Sequence, residues 1–217
     1  MAKAEHSPKA GAKTRAQILR AALKHFANAG YAATSVQQIV GDAKVSKPAL
    51  YYHFRDKAEL FKALVHEAHD EKFRLLREAA GRGRNIREQL ENILITLFDY
   101  VAKNRELMRI SFATNFAAPG EVPENLCYAG KCERNFEFVH SLIKAAQKKG
   151  ELNRHFDSRE MAFGIYGLTN FYFVSHLAER NYRPDPKASK RIVELFLVGA
   201  AAKNSSHKPQ KMKFYGK

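Results

Sequence analysis

The chain reads as a succession of amphipathic helices. Ile18, Leu19, Ala22, Leu23 and Phe26 recur at helical spacing. They predict a first helix that opens at Thr14 with a Thr14-x-x-Gln17 capping box and stops at Gly30. A second capping box, Ser35-x-x-Gln38, opens a short helix whose inner face is Val36, Ile39, Val40 and Ala43. Ser46 is a good N-cap and Pro48 is tolerated in a first turn, so a third helix runs from Lys47 to about His53. Leu50 and Phe54 are its inward anchors. Asp56-x-x-Glu59 opens a fourth helix, with Leu60, Leu64, Ala68 and Leu75 inside, and Gly81-Arg82-Gly83 interrupts it. Further helices are predicted over residues 86–103, 105–117, 124–149, 158–180 and 186–203, with Pro119, Gly120 and Pro123 marking a loop. No period-2 alternation and no Asn-Gly or Asp-Gly turn predicts a hairpin. The fold class is all-α.

The same pattern divides the chain. Residues 1–11 read as a flexible basic arm, 12–72 as a small helical module, 73–203 as a larger helical domain, and 204–217 as a polar, basic, disordered tail. The segments 158–180 and 186–203 are apolar nearly all round and carry Gly164, Gly167, Gly199, Ala200 and Ala201. A helix apolar on every side must be buried on every side. One face of each can meet its own domain and the other a second copy of the chain, with a core helix of a monomer as the competing reading. The most apolar stretch, 161–178, holds Thr169, Asn170, Ser175 and His176, and reads as a buried helix rather than a membrane span.

Composition sharpens this. Of 217 residues 45% are hydrophobic and 27% charged, as in a globular protein, and fifteen Phe with nine Tyr promise a large core or an aromatic-lined cavity. The formal net charge of +15 points to a polyanionic partner. Residues 1–57 hold ten Lys and Arg against three acids, so the basic character is partly concentrated there. Two cysteines, Cys127 and Cys132, lie five apart, which is neither a disulfide framework nor a zinc spacing. They read as incidental, with redox sensing the alternative. The first thirteen residues have no apolar core of a signal peptide, so a cytoplasmic location is expected, without membrane attachment.

The two short helices at 35–43 and 47–53, joined by Lys44-Val45-Ser46, form a helix-turn-helix pattern spanning 35–54. Its second helix would lie in a DNA major groove. Lys47 suits a guanine edge or a phosphate, while Pro48 and Ala49 suit thymine methyls. Tyr51, Tyr52 and His53 offer donors to phosphate oxygens, and Lys57 would clamp the backbone.

The run Thr34-Ser35-Val36-Gln37-Gln38-Ile39, followed by Val45-Ser46-Lys47-Pro48-Ala49-Leu50-Tyr51-Tyr52-His53-Phe54-Arg55-Asp56-Lys57-Ala58-Glu59-Leu60, resembles the DNA-binding domain of TetR-type regulators. Thr14 to Phe26 and Gly30-Tyr31 match as well, so the resemblance covers about residues 12–72. It implies DNA contacts at Ser35, Gln37, Lys47, Pro48, Ala49, Tyr51, His53 and Lys57; Ser46 and Tyr52, in the same motif, are further DNA-binding candidates. The resemblance also implies a helical effector-binding domain, a homodimer through the last two long helices, a palindromic double-stranded operator, and a small-molecule effector that weakens operator binding. One departure is Lys44, which stands where the family usually has glycine. A left-handed backbone there would cost about 1 kcal/mol relative to glycine.

Nine residues of the larger domain are candidates for an effector pocket: Phe98, Phe112, Asn115, Phe116, Phe136, His140, Tyr166, Asn170 and Phe173. Plain core packing is the competing reading. His66, His69 and Asp70 share one stretch of helix, which reads as a solvated face rather than a metal site. No phosphate loop, Gly-x-Ser-x-Gly elbow or His-Glu-x-x-His motif occurs, so neither catalysis nor a cofactor nor a metal is expected. The alternative to a sequence-specific regulator is a basic helical protein that coats nucleic acid or an acidic partner without sequence choice.

Overall fold

The computed structural model describes residues 8–124, 126, 129–178 and 186–198. Nine α-helices account for most of them: α1 (Pro8–Ala33), α2 (Val36–Ala43), α3 (Lys47–His53), α4 (Lys57–Gly81), α5 (Ile86–Lys103), α6 (Arg105–Ala113), α7 (Ala129–Lys148), α8 (Ser158–Ala178) and α9 (Pro186–Val198). A single 3₁₀ turn, Thr114–Phe116, follows α6. Among the described residues no strand forms beyond an isolated Pro119–Val122 bridge.

Two apolar cores organise these helices. The smaller one gathers Ile18, Ala22 and Phe26 of α1, Ile39 and Val40 of α2, Leu50 of α3 and Leu60 to Val65 of α4. The larger one is built from α4, α5, α7, α8 and α9 around Leu76, Leu90, Leu94, Ile143, Ile165 and Phe173. Helix α4 belongs to both. Its 25 residues make a rod of about 37 Å. Leu60, Phe61, Leu64 and Val65 face the small core, and Ala68, Leu76, Ala79 and Ala80 the large one. The expected boundary between residues 72 and 73 falls inside this shared helix. Helix α6 is the second bridge: Ile110 is buried in the small core and Met108 in the large one.

Three expected elements differ. The first helix begins at Pro8, not Thr14, so residues 8–11 are helical rather than part of a flexible arm; residues 1–7 lie outside the described set. Thr14 is not a cap. Its Oγ1 donates to the Ala10 carbonyl one turn back, which a mid-helix threonine does readily. Gly30 does break the helix, with φ of 78°, but a short helical stretch follows it to Ala33. Of the predicted helix over 124–149, Ala129–Lys148 is helical and Glu124 lies in a turn, while residues 125, 127 and 128 lie outside the described set. The predicted helix over 105–117 tightens to a 3₁₀ turn at Thr114. The tail at 204–217 and Cys127 lie outside the described residues.

Gly83 is required by close approach. A Cβ there would meet the Gln89 backbone nitrogen at 2.5 Å, so only glycine lets α5 fold back onto α4. Asn85 then caps α5 by accepting from Glu88 N at 2.9 Å.

Candidate functional site: a helix-turn-helix head beside a helical cavity

The head is built from local caps. Ser35 Oγ accepts from Gln38 N at 3.2 Å, while the Gln38 side-chain oxygen accepts from Ser35 N at 2.8 Å. This is the reciprocal capping box that the sequence predicts. Lys44 closes α2 in a left-handed conformation, with φ 54° and ψ 43°. Its N–H donates to the Gly41 and Val40 carbonyls, and Val45 N also donates to Val40 O, so α2 ends in a compact hook. Ser46 then caps α3 by accepting from Ala49 N at 3.3 Å. Below α3, Leu50 and Phe54 are buried, and the Arg15 guanidinium lies 5.3 Å from the Phe54 ring while pairing with Glu67.

The outer side of α3 is open. Lys47 and Pro48 are exposed, Ala49 is half-buried, and Tyr51 and Tyr52 are 49% and 76% exposed despite their large rings. Gln37 is exposed on α2. His53 is half-buried, its ring packed edge-on against Tyr52. The N-terminal turns of α1 pass beside it, for a Cβ on Gly11 would come within 3.9 Å of the His53 ring. The structure thus gathers Lys47, Pro48, Tyr51 and Tyr52 on one solvent-facing surface. Ser35 and Ser46 sit at its edge with their hydroxyls engaged as caps.

Lys57 departs from its expected role. Its Nζ donates to the carbonyls of Tyr31 at 2.9 Å, Ala32 at 3.4 Å and Thr34 at 2.9 Å, and lies 4.4 Å from the centre of the Tyr31 ring. All three N–H groups are turned inward. The ammonium ties the start of α4 to the α1–α2 corner instead of reaching outward as a phosphate clamp.

In the larger domain a cavity of about 450 Å³ opens between α4, α5, α6, α7 and α8. Six of the nine candidates line it: Phe112, Asn115, Phe136, Tyr166, Asn170 and Phe173. Three do not. Phe98 is buried behind the wall, edge-on to Phe173 with ring centres 5.3 Å apart. Phe116 is 91% exposed on the turn after α6. His140 contacts Glu137 of its own helix at 3.0 Å and ties α7 to α8 through Ser158 at 2.9 Å. Sequence reasoning missed other wall residues, among them His69, Lys72, Tyr100, Ser111, Cys132, Glu133 and Arg159. Their polar groups are distinctive. Burial first, and then the charges of Lys72, His66 and Lys131, push His69 down to about 4, so its imidazole is neutral at pH 7. Burial pushes Tyr100 up to about 12 and raises the Cys132 thiol, whose Sγ lies 3.8 Å from both His69 nitrogens. A thiol with a raised pKa lacks the thiolate that redox sensing needs. Among the described residues no group of three or more His, Cys, Asp or Glu comes together to hold a metal.

Comparison with known proteins places this arrangement. The family described as bacterial regulatory proteins, tetR family, matches residues 18–64. The chain is similar to the transcriptional activator FasR of Mycolicibacterium smegmatis, with 31% identity over 108 residues. That alignment covers 50% of this chain and spans about half of the relative's length, 49%. It is also similar to the probable acrEF/envCD operon repressor of Escherichia coli K12, with 25% identity over 199 residues, covering 85% of this chain and 87% of that one. Among solved structures, the regulator FadR of Bacillus subtilis in complex with stearoyl-CoA superposes with a TM-score of 0.71 over 86% of this chain and 99% of that one. At 19% identity that likeness is one of fold.

Proposed function

We infer, for a chain that belongs to the TetR family of bacterial regulatory proteins, that it is a homodimeric transcriptional repressor released from a palindromic operator by a small-molecule effector. The observation that carries this reading is the junction between head and cavity. Helix α6 lends Met108, Ser111 and Phe112 to the cavity wall and buries Ile110 in the head's core. Helix α4 lends Ala68, His69 and Lys72 to the wall and four apolar side chains to the head. A ligand that spreads the wall moves both helices. Two heads on one dimer then change their spacing, and two half-sites a fixed number of turns apart are no longer matched.

The dimer surface belongs to α8 and α9. Their inner faces are buried through Ile165, Phe173, Ile192 and Val193. Their outer faces leave Phe171 72%, Val174 47%, Leu195 49% and Val198 55% exposed. An apolar patch of this kind is stable in water when a second copy covers it. Helix α6 reaches these helices too: Arg105 donates to the carbonyls of His176 and Leu177 at the end of α8.

Repression is favoured over activation because the probable acrEF/envCD operon repressor aligns over most of both chains, whereas the activator FasR aligns over about half of each. No described helix is long and apolar enough to cross a membrane, and the cytoplasm is where the operator would be met. A sequence-blind coating protein, the other expectation from charge alone, has no support among the relatives. Lys47→Ala and Ala49→Gly test the reading helix. Selection from a random DNA pool should return altered preferred sequences for both variants. Unchanged preferences in both would remove α3 from the role.

A further inference from the structure

The cavity has a charge pattern that says what it receives. Along α4 the inward positions run Phe61, Leu64, Val65, Ala68, Leu76, Ala79 and Ala80, and Lys72 stands in that same register. An ammonium on an apolar stripe is costly unless something compensates it. Among the described residues Lys72 Nζ has one protein hydrogen bond, to Tyr166 Oη at 3.2 Å, and lies 5.0 Å from the Tyr166 ring centre and 5.9 Å from that of Phe173. None of the ion pairs among the described residues includes it. The other titratable groups on the inner wall are neutral at pH 7: His69, Tyr100 and Cys132, for the reasons given above. At the rim Arg159 pairs with Glu137, and Glu133 is exposed to solvent.

A second observation is independent of the first. Ser111 is 7% exposed, lines the cavity, and its Oγ has no hydrogen-bond partner. A buried hydroxyl left unsatisfied is destabilising, and a ligand oxygen that accepts from it relieves that cost. The rest of the wall is apolar: Leu97, Val101, Met108, Phe112, Phe136 and Phe173.

We propose that the effector is an amphipathic anion, with its carboxylate or phosphate head on Lys72, its apolar body along the aromatic wall, and an oxygen accepting the Ser111 hydroxyl. This rests on the effector reading above and specifies its chemistry. A cationic or uncharged ligand of the same shape leaves the ammonium uncompensated and binds more weakly.

The test uses calorimetric titration of the full chain with decanoate, decyl phosphate, decanamide and decylamine, which share one alkyl chain and differ in the head. At least one of the two anions should bind ten-fold or more tightly than decanamide, and the stronger of them identifies the head. Decylamine should bind most weakly. Lys72→Gln should abolish the gap between anion and amide, and Lys72→Arg should restore it. Ser111→Ala should weaken the anion several-fold. Equal binding of all four, preference for the amine, no binding by any, or a gap that survives in Lys72→Gln overturns the proposal. Binding of the ligand-free chain and of each variant to the DNA upstream of its own coding region is measured in parallel. Loss of that binding in the unmutated chain would strike the regulator reading, whereas intact DNA binding without head-group discrimination strikes only the ligand class.

Discussion

Single residues carry unusual burdens in the head. Lys44 holds a left-handed backbone that glycine adopts without a side-chain penalty. Lys44→Gly should therefore raise stability by up to about 1 kcal/mol and leave DNA affinity nearly unchanged. A melting temperature lowered by several degrees would contradict the cost assigned to that conformation. Lys57 separates two roles that one sequence position can serve. With its three N–H groups on carbonyls, Lys57→Met should destabilise the head by about 1–3 kcal/mol, because those acceptors lose their donor. The dependence of DNA affinity on salt should keep its slope. A slope reduced by about one, with stability intact, would instead mark Lys57 as a phosphate contact.

At the scale of elements, legibility followed locality. The capping box at Ser35, the caps at Ser46 and Asp56, and the break at Gly81 to Gly83 are encoded within four or five residues, and the structure has them all. The early start of α1 was hidden because Pro8 to Lys13 carry no apolar period, although Pro8 is itself a permitted first residue of a helix. The cavity wall was half legible. Aromatic content marks a region but not which side of a helix faces inward, so Phe98 fell behind the wall and Phe116 outside it. The missed Lys72 had a readable signal: a charge in the inward register of an otherwise apolar stripe. Ser111, three residues after the buried Met108, had a weaker one. The junction of α4 and α5 gives the element-scale prediction. Gly83→Ala would force a Cβ against the Gln89 backbone, and the chain cannot yield there without shifting α5. Chemical denaturation should show a loss of more than about 1 kcal/mol. A neutral substitution would mean that the turn relaxes freely.

The whole molecule joins three surfaces: the exposed side of α3, a cavity and an exposed apolar face on α8 and α9. The last makes the dimer testable alone. Light scattering should give twice the mass of the chain, and Phe171→Arg, placing a charge at the 72% exposed position, should give the monomer. A variant that remains dimeric would move the interface elsewhere. The central claim is that one dimer reads DNA by sequence. Fluorescence anisotropy competition at physiological salt, between the DNA upstream of its own coding region and random duplex of equal length, tests it most directly. The account predicts a preference of about 10³ or more for the upstream DNA. Equal affinity for the two duplexes, falling together as salt rises, would contradict it.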